Sequence, residues 1–309
     1  MNILVTGSSG LVGSAVVAHL SAFGHRVIRL IRRPPKPGEL AVQWDPVAGT
    51  IDAAGLDGLD AVVHLAGESI MGAWTPAKKA AIRDSRVRDT RVLSAALADT
   101  TRRPQTLICA SATGYYGHRH DEILTEESAS GVGFLAEVGR AWEQAAEPAV
   151  RAGLRVVHLR FGIVLSANGG ALQKMAPPFR LGLGGRMGSG RQYWSWIALD
   201  DILGVIDHVL ATETLRGPVN AVAPQPVTNR EFAQALGRAL LRPACLPMPA
   251  IAVRALFGEL GDEAFLSSAR VEPAKLVASG YPFHHPTLDA TLRELLRPPT
   301  TAPQHAQPV

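Results

Sequence analysis

Apolar positions alternate between two spacings from the first residues onward. Residues 2–6 form an apolar run ending at glycine, residues 11–23 carry apolar side chains at helical spacing up to Gly24, and residues 26–31 are again β-branched and apolar. That order predicts a β-α-β unit. Further strands are expected at 41–44, 60–65, 106–110 and 155–159, with a long Arg-rich helix over 76–99 and another around 134–149. Strands alternating with helices predict a parallel sheet covered on both faces, hence an α/β doubly wound Rossmann domain with a second, smaller substrate domain.

Regularity weakens after Arg160. Residues 168–192 hold seven glycines and several arginines and read as a loop-rich insertion, whereas 200–212 and 229–241 read as helices and 249–297 as mostly helical. The expected division is 1–164 plus about 200–222 for the Rossmann domain, and 165–199 plus 223–297 for the smaller one. Within the latter, 249–296 form a C-terminal unit. Residues 298–309, rich in Pro, Thr and Gln, are expected to be disordered.

Composition adds limits rather than a direction. The 309 residues are 47% hydrophobic and carry a formal net charge of only +4, so charge alone points to no nucleic acid. Residues 1–25 contain no Asp, Glu, Lys or Arg, yet Gly7, Ser8, Ser9, Gly10, Gly13 and Ser14 interrupt the apolar run before a membrane span accumulates. No membrane segment is expected. Cys109 and Cys245 are the two cysteines and lie in no metal-ligand spacing, which predicts no zinc site, no disulfide framework and a reducing, cytoplasmic setting.

The candidate chemistry starts at Thr6-Gly7-Ser8-Ser9-Gly10-Leu11-Val12-Gly13, between a strand and a helix. Gly7 permits the tight turn, Gly10 lets the backbone approach a pyrophosphate, and Gly13 lets the helix pack on the strand, while the helix N-terminus offers N–H donors. This predicts dinucleotide binding. The second strand ends Ile31-Arg32-Arg33, with no acidic residue until Glu39. Guanidinium groups match phosphate bidentately, so Arg32 or Arg33 is expected to take the 2′-phosphate of NADP(H). Asp45, by its carboxylate, and the Leu65-Ala66-Gly67 turn, by its backbone, are expected along the adenine side.

With these residues the chain resembles the extended short-chain dehydrogenases/reductases, the group that includes nucleotide-sugar epimerases and dehydratases. The resemblance rests on the glycine loop, His64-Leu-Ala-Gly67, Ser111-Ala-Thr-Gly-Tyr-Tyr-Gly117, Leu159-Arg160 and Trp196-Ile-Ala-Leu-Asp-Asp201. More narrowly, Gly67-Glu68-Ser69-Ile70, Arg180-Leu-Gly-Leu-Gly-Gly185 and Gly190-Arg-Gln192 are similar to an atypical epimerase-family subgroup that ends in a small domain of unassigned function. The resemblance implies a nicotinamide cofactor, and Arg86, at the position of a family Asn, and Arg160 are cofactor-binding candidates, Arg160 also standing with the arginines expected on the substrate side. It also exposes a departure. The family's usual Tyr-x-x-x-Lys pair would fall on Leu135 and Gly139, and none of the four tyrosines has a lysine four residues on. Neither replacement can transfer a proton.

Substitutes must lie beyond the fifth strand, where Ser111, Thr113, Tyr115 and Tyr116 stand. Ser111 or Thr113 is expected to hydrogen-bond substrate, and Tyr116 is a candidate proton donor against a packing role. His118 and His120 read as solvated loop residues. Arg180, Arg186 and Arg191, flanked by glycine turns, are expected to bind a small anionic substrate, with Lys174 as an added point charge. Trp194, Trp196 and Phe179 either stack on a ring or fill the core. Asp200 and Asp201 read as helix caps, not metal ligands. The sequence therefore supports an NADP(H)-dependent oxidoreductase or epimerase-like enzyme, with a cofactor-binding sensor as the alternative.

Overall fold

The computed structural model describes residues 1–297, so the expected disordered tail lies outside the described residues. In chain order the first strands and helices are β1 (Asn2–Thr6), α1 (Leu11–Ala22), β2 (Arg26–Ile31), β3 (Ala41–Asp45), β4 (Thr50–Ile51), β5 (Ala61–His64), α2 (Pro76–Ala98) and β6 (Thr106–Ala112). They are followed by β7 (Ile123–Leu124), α3 (Phe134–Gln144), α4 (Glu147–Arg151), β8 (Arg155–Phe161), β9 (Ile163–Ser166), α5 (Gly170–Arg180), β10 (Tyr193–Trp194), β11 (Trp196–Ala198), α6 (Leu199–Ala211) and β12 (Gly217–Ala221). Eight strands form one sheet in the order β12-β8-β6-β5-β1-β2-β3-β4, parallel except for β4 at the edge. The order reverses between β1 and β5, which opens a crevice at their C-terminal ends.

Both faces of that sheet are buried, which is why its strands read as continuous apolar runs. Ile3 and Val5 pack with Val16 and Leu20 of α1 and Ile202, Val205 and Val209 of α6 on one face. Leu4 points the other way, to Leu93 and Leu97 of α2 and Ala149 of α4. A third core, built on Leu172, Phe179, Trp194, Trp196, Phe232 and Leu236, belongs to the smaller domain.

Two expectations about elements need correction. The helix expected over 134–149 is two helices, α3 and α4, because Pro148 has no N–H to donate to the Gln144 carbonyl. The region expected to be loop-rich contains α5, whose buried residues Leu172, Ala176 and Phe179 recur at helical spacing that the surrounding glycines obscured. The C-terminal segment is carried by α7 (Asn229–Ala239), which opens with a Thr228–Glu231 capping box, α8 (Ala250–Phe257), α9 (Ala274–Ala278) and α10 (Leu288–Leu295).

Asp200 and Asp201 lie in the first turn of α6 but do not cap it, contrary to expectation: the N-cap position is Ala198, and no side chain caps the helix. Asp201 serves a tertiary contact instead. It is fully buried, and its carboxylate accepts hydrogen bonds from the His284 and His285 amides and the Tyr281 hydroxyl, which fastens residues 281–285 to α6. Burial, with the Asp201 charge added, pushes the Tyr281 phenol well above its ordinary range, so it stays a donor. Among the described residues no helix is long and apolar enough to cross a membrane, and no cluster of three or more His, Cys, Asp or Glu is placed to hold a metal ion.

Candidate functional site

The crevice floor is the turn between β1 and α1. Gly7 has φ +65°, and a Cβ there would lie 2.7 Å from the Leu65 backbone. At Gly13 a Cβ would come within 2.1 Å of the Gly7 carbonyl oxygen, so α1 can start this close to β1 only without a side chain. Gly10 is exposed and its missing side chain faces open space apart from one contact at 3.4 Å. Helix α1 has no side-chain cap, which leaves the Leu11 and Val12 amides without an intrahelical acceptor. A glycine cradle with uncapped amides fits a pyrophosphate.

Thr6 locks the far side of the cradle. Its hydroxyl accepts from the Leu65 and Ala66 amides, both at 3.0 Å, and contacts His64 Nδ1 at 2.7 Å. With two bonds accepted, the hydroxyl proton goes to Nδ1, so Nε2 carries the imidazole proton and donates to Thr90. Burial pushes His64 down to about 4, consistent with that neutral ring.

The second-strand residues divide. Arg33 forms a bidentate pair with Glu39 at 2.7 and 2.8 Å, which pulls the Glu39 carboxyl down to about 2. Arg32 stays exposed at the end of β2, with no hydrogen bond or ion pair among the described residues. Asp45 Oδ1 accepts from the Val47 and Ala48 amides and closes the turn after β3, while the residue stays exposed with Oδ2 outside those bonds.

On the opposite wall the structure reorders the candidates. Arg160 is buried, donates to both oxygens of Glu143 at 2.8 Å and to the Tyr116 hydroxyl at 2.8 Å. It cannot also contact a cofactor, which corrects its expected role. Burial opposes its charge, but the hydrogen bonds and charge of Glu143 outweigh that and hold the guanidinium above its ordinary range. Tyr116 is fully buried and its hydroxyl is shared among Arg160, Asn220 and the Thr125 carbonyl. It is a packing residue, not a proton donor to substrate. Ser111 donates to Glu143 at 2.8 Å and is buried as well, so Thr113 is the hydroxyl that opens to the cavity.

Tyr115, which the sequence placed among the candidate hydroxyls without assigning it a role, emerges as the member of the Tyr115–Tyr116 pair that faces the cavity. The Arg160 guanidinium stacks 3.6 Å from its ring centroid. Its backbone and ring lie directly over Gly139: a Cβ there would sit 3.2 Å from the Tyr115 Cα and 3.3 Å from its Cβ. The missing lysine and the present tyrosine are two sides of one packing arrangement. Leu135, in place of the family tyrosine, lies against Gly114. Only the pairing of Gly139 with Tyr115 in space reveals this, since they are 24 residues apart along the chain.

These residues line one end of a cavity of about 1160 Å³ that runs into the smaller domain. Arg86 lines it too, donating to the Glu68 and Ile82 carbonyls and lying over the Trp142 ring, and burial pushes it down to about 10. The three expected substrate arginines do not line it. Arg180 and Arg191 are exposed elsewhere, and Arg186 folds back onto the Gly188 carbonyl. Trp194, Trp196 and Phe179 are core residues, of which Trp194 and Phe179 also form cavity wall. His118 lines the cavity and accepts from the Ser268 amide, contrary to a purely solvated role. From the C-terminal segment, Glu263 grips the start of α3, accepting from the Phe134 and Leu135 amides at 2.7 and 2.8 Å. Nothing local to Glu263 announces that contact.

A glycine cradle at the switch point of a parallel sheet, facing a cavity closed by a smaller domain, defines a Rossmann-type dinucleotide-binding protein. The chain belongs to the NAD dependent epimerase/dehydratase family, which it matches over residues 3–221, and residues 248–295 match a domain of unknown function, DUF1731. Epimerase family protein Mb2239 of Mycobacterium bovis is 47% identical over 291 residues, covering 94% of this chain and 96% of that protein. The Homo sapiens epimerase family protein SDR39U1 is 37% identical over 300 residues, covering 96% of this chain and all of that one (100%). A crystal structure of human SDR39U1 (isoform2) with NADPH superposes with a TM-score of 0.87 at 35% identity, over 96% of this chain and 99% of that chain. The UDP-N-acetylglucosamine 4-epimerase of Bacillus cereus, at 18% identity and a TM-score of 0.73, shares the fold.

Proposed function

We propose that this chain binds NADP(H) in the β1–α1 cradle and exchanges hydride with a small-molecule carbonyl compound held in the adjoining cavity. The observation that carries the reading is the uncapped glycine cradle beside a cavity in which Thr113 and Tyr115 are the uncommitted hydroxyls at the crevice end. Bound there, the reduced coenzyme supplies hydride to the carbonyl carbon and is left as NADP⁺. The remaining work belongs to this chain. Thr113 hydrogen-bonds the carbonyl oxygen, and Tyr115 delivers the proton that turns C=O into CH–OH and is reprotonated from solvent. Arg160, tied to Glu143, holds the Tyr115 ring in place from behind. Arg86 and Trp142 pack at the same end and exclude water.

Arg32 takes the 2′-phosphate, because Arg33 is already spent on Glu39. Arg32→Ala should weaken NADPH binding about 10- to 100-fold in a fluorescence titration, the range of a lost charge-assisted contact, and NADH binding far less. Equal losses for both coenzymes would refute the assignment.

The reaction is tested by following the near-ultraviolet absorbance of bound NADPH in single turnover with a panel of aldehydes and ketones. Tyr115→Phe should slow the decay about 100-fold at unchanged NADPH affinity. Tight binding with no decay against any carbonyl would leave a cofactor-sensing protein in place of an enzyme.

A further inference from the structure

The nucleotide-sugar enzymes that share this fold hold a substrate with two phosphate charges. Four side chains that bear on the cavity here are already committed. Arg86 is bound to two backbone carbonyls, Arg254 is paired with Asp262 at 2.8 Å, and Glu263 is bound to the start of α3. Among the described residues this leaves Lys174 as the one lining cation without a hydrogen bond or ion pair. A diphosphate taken from water into such a site would lack partners for most of its oxygens, and unpaired buried charge is among the most costly burdens a site can carry.

What the wall offers instead is apolar. Met175 and Phe179 of α5, Met187, Trp194 and Phe232 line the substrate half, and all five belong to or pack on the core of the smaller domain. At about 1160 Å³ the cavity exceeds the usual range for a drug-sized ligand, which leaves space for a bulky body beyond the nicotinamide end. The two loops that bring Gly185 and Met248 to the wall also carry Leu181, Leu183 and Leu246, exposed at 75%, 60% and 51%. The Leu246 amide donates to the Gly184 carbonyl, which joins these two loops beside the cavity wall.

We infer that the substrate is a lipophilic carbonyl compound, or its alcohol, with an apolar body in the substrate half and at most one anionic group, placed at Lys174. The inference rests on the cofactor reading above for the orientation of the carbonyl end. Methionines at 175 and 187 suit a ligand of irregular shape, since their unbranched side chains repack at little cost.

The full-length chain, with and without NADPH, is titrated by calorimetry with dodecanol, a non-reducible probe, and with UDP-glucose. Dodecanol should bind, UDP-glucose should give no saturable heat, and Met175→Glu should weaken dodecanol at least about tenfold, as expected for a carboxylate facing an alkyl chain, with NADPH affinity unchanged. Met187→Gln is the milder second variant, should Met175→Glu fail to fold. UDP-glucose binding more tightly than dodecanol would overturn the inference, as would dodecanol binding equally to wild type and both variants, which marks surface adsorption. Failure to bind NADPH would sink the cofactor reading instead, and the titrations without coenzyme would still decide the substrate class.

Discussion

Alanine at Gly13 is expected to cost the protein both its coenzyme and part of its stability. The added Cβ would stand 2.1 Å from the Gly7 oxygen, a backbone atom that cannot swing aside, so the start of α1 must shift away from β1. Overpacking of this kind destabilises by about 1–3 kcal/mol or more, and the displaced amides should weaken NADPH binding by at least about 100-fold. Gly10→Ala is the informative contrast. Its Cβ meets nothing closer than 3.4 Å, so thermal stability should hold while NADPH binding falls, because the methyl group occupies the pyrophosphate approach. Differential scanning calorimetry with coenzyme titration separates the two effects. Equal loss of stability in both variants would show that the glycines serve only the fold.

The second large effect is expected at Arg160. Its side chain is 3% exposed and that of its partner Glu143 is 13%, so Arg160→Met leaves a carboxylate with a single hydroxyl partner, Ser111, in a nearly dry site. Breaking a buried pair from one side typically costs roughly 3–5 kcal/mol, whereas exchanging both members for apolar residues is often close to neutral. Arg160→Met should therefore unfold at much lower denaturant concentration. The double variant Arg160→Met with Glu143→Met should recover most of the loss. No recovery in the double variant would mean that Tyr115 and Tyr116, not Glu143, are what the guanidinium supports.

Much of the frame was legible because burial on both faces writes long apolar runs into β1, β5, β6 and β8, and because glycine at 7, 10 and 13 has few other uses at a strand-to-helix junction. The misreadings share a physical cause. Arg160 resembles a ligand-binding arginine until Glu143, 17 residues earlier, is seen to claim two of its nitrogens. Arg186 turns one guanidinium nitrogen back onto the neighbouring Gly188 carbonyl, a local option that composition does not reveal. Helix α5 hid behind the glycines that flank it. The roles of Tyr115 and Glu263 exist only across tertiary contacts, and no spacing along the chain encodes them.

The packing of Tyr115 on Gly139 also bears on how this branch of the family can change. A lysine at 139 would need the space that the Tyr115 ring fills, and that ring is backed in turn by Arg160 and its acidic partner. Restoring the usual pair by Leu135→Tyr and Gly139→Lys alone therefore inserts an amine into an occupied volume. The usual chemistry lies several coordinated exchanges away, and introducing the pair one residue at a time would pass through intermediates less stable than either end point.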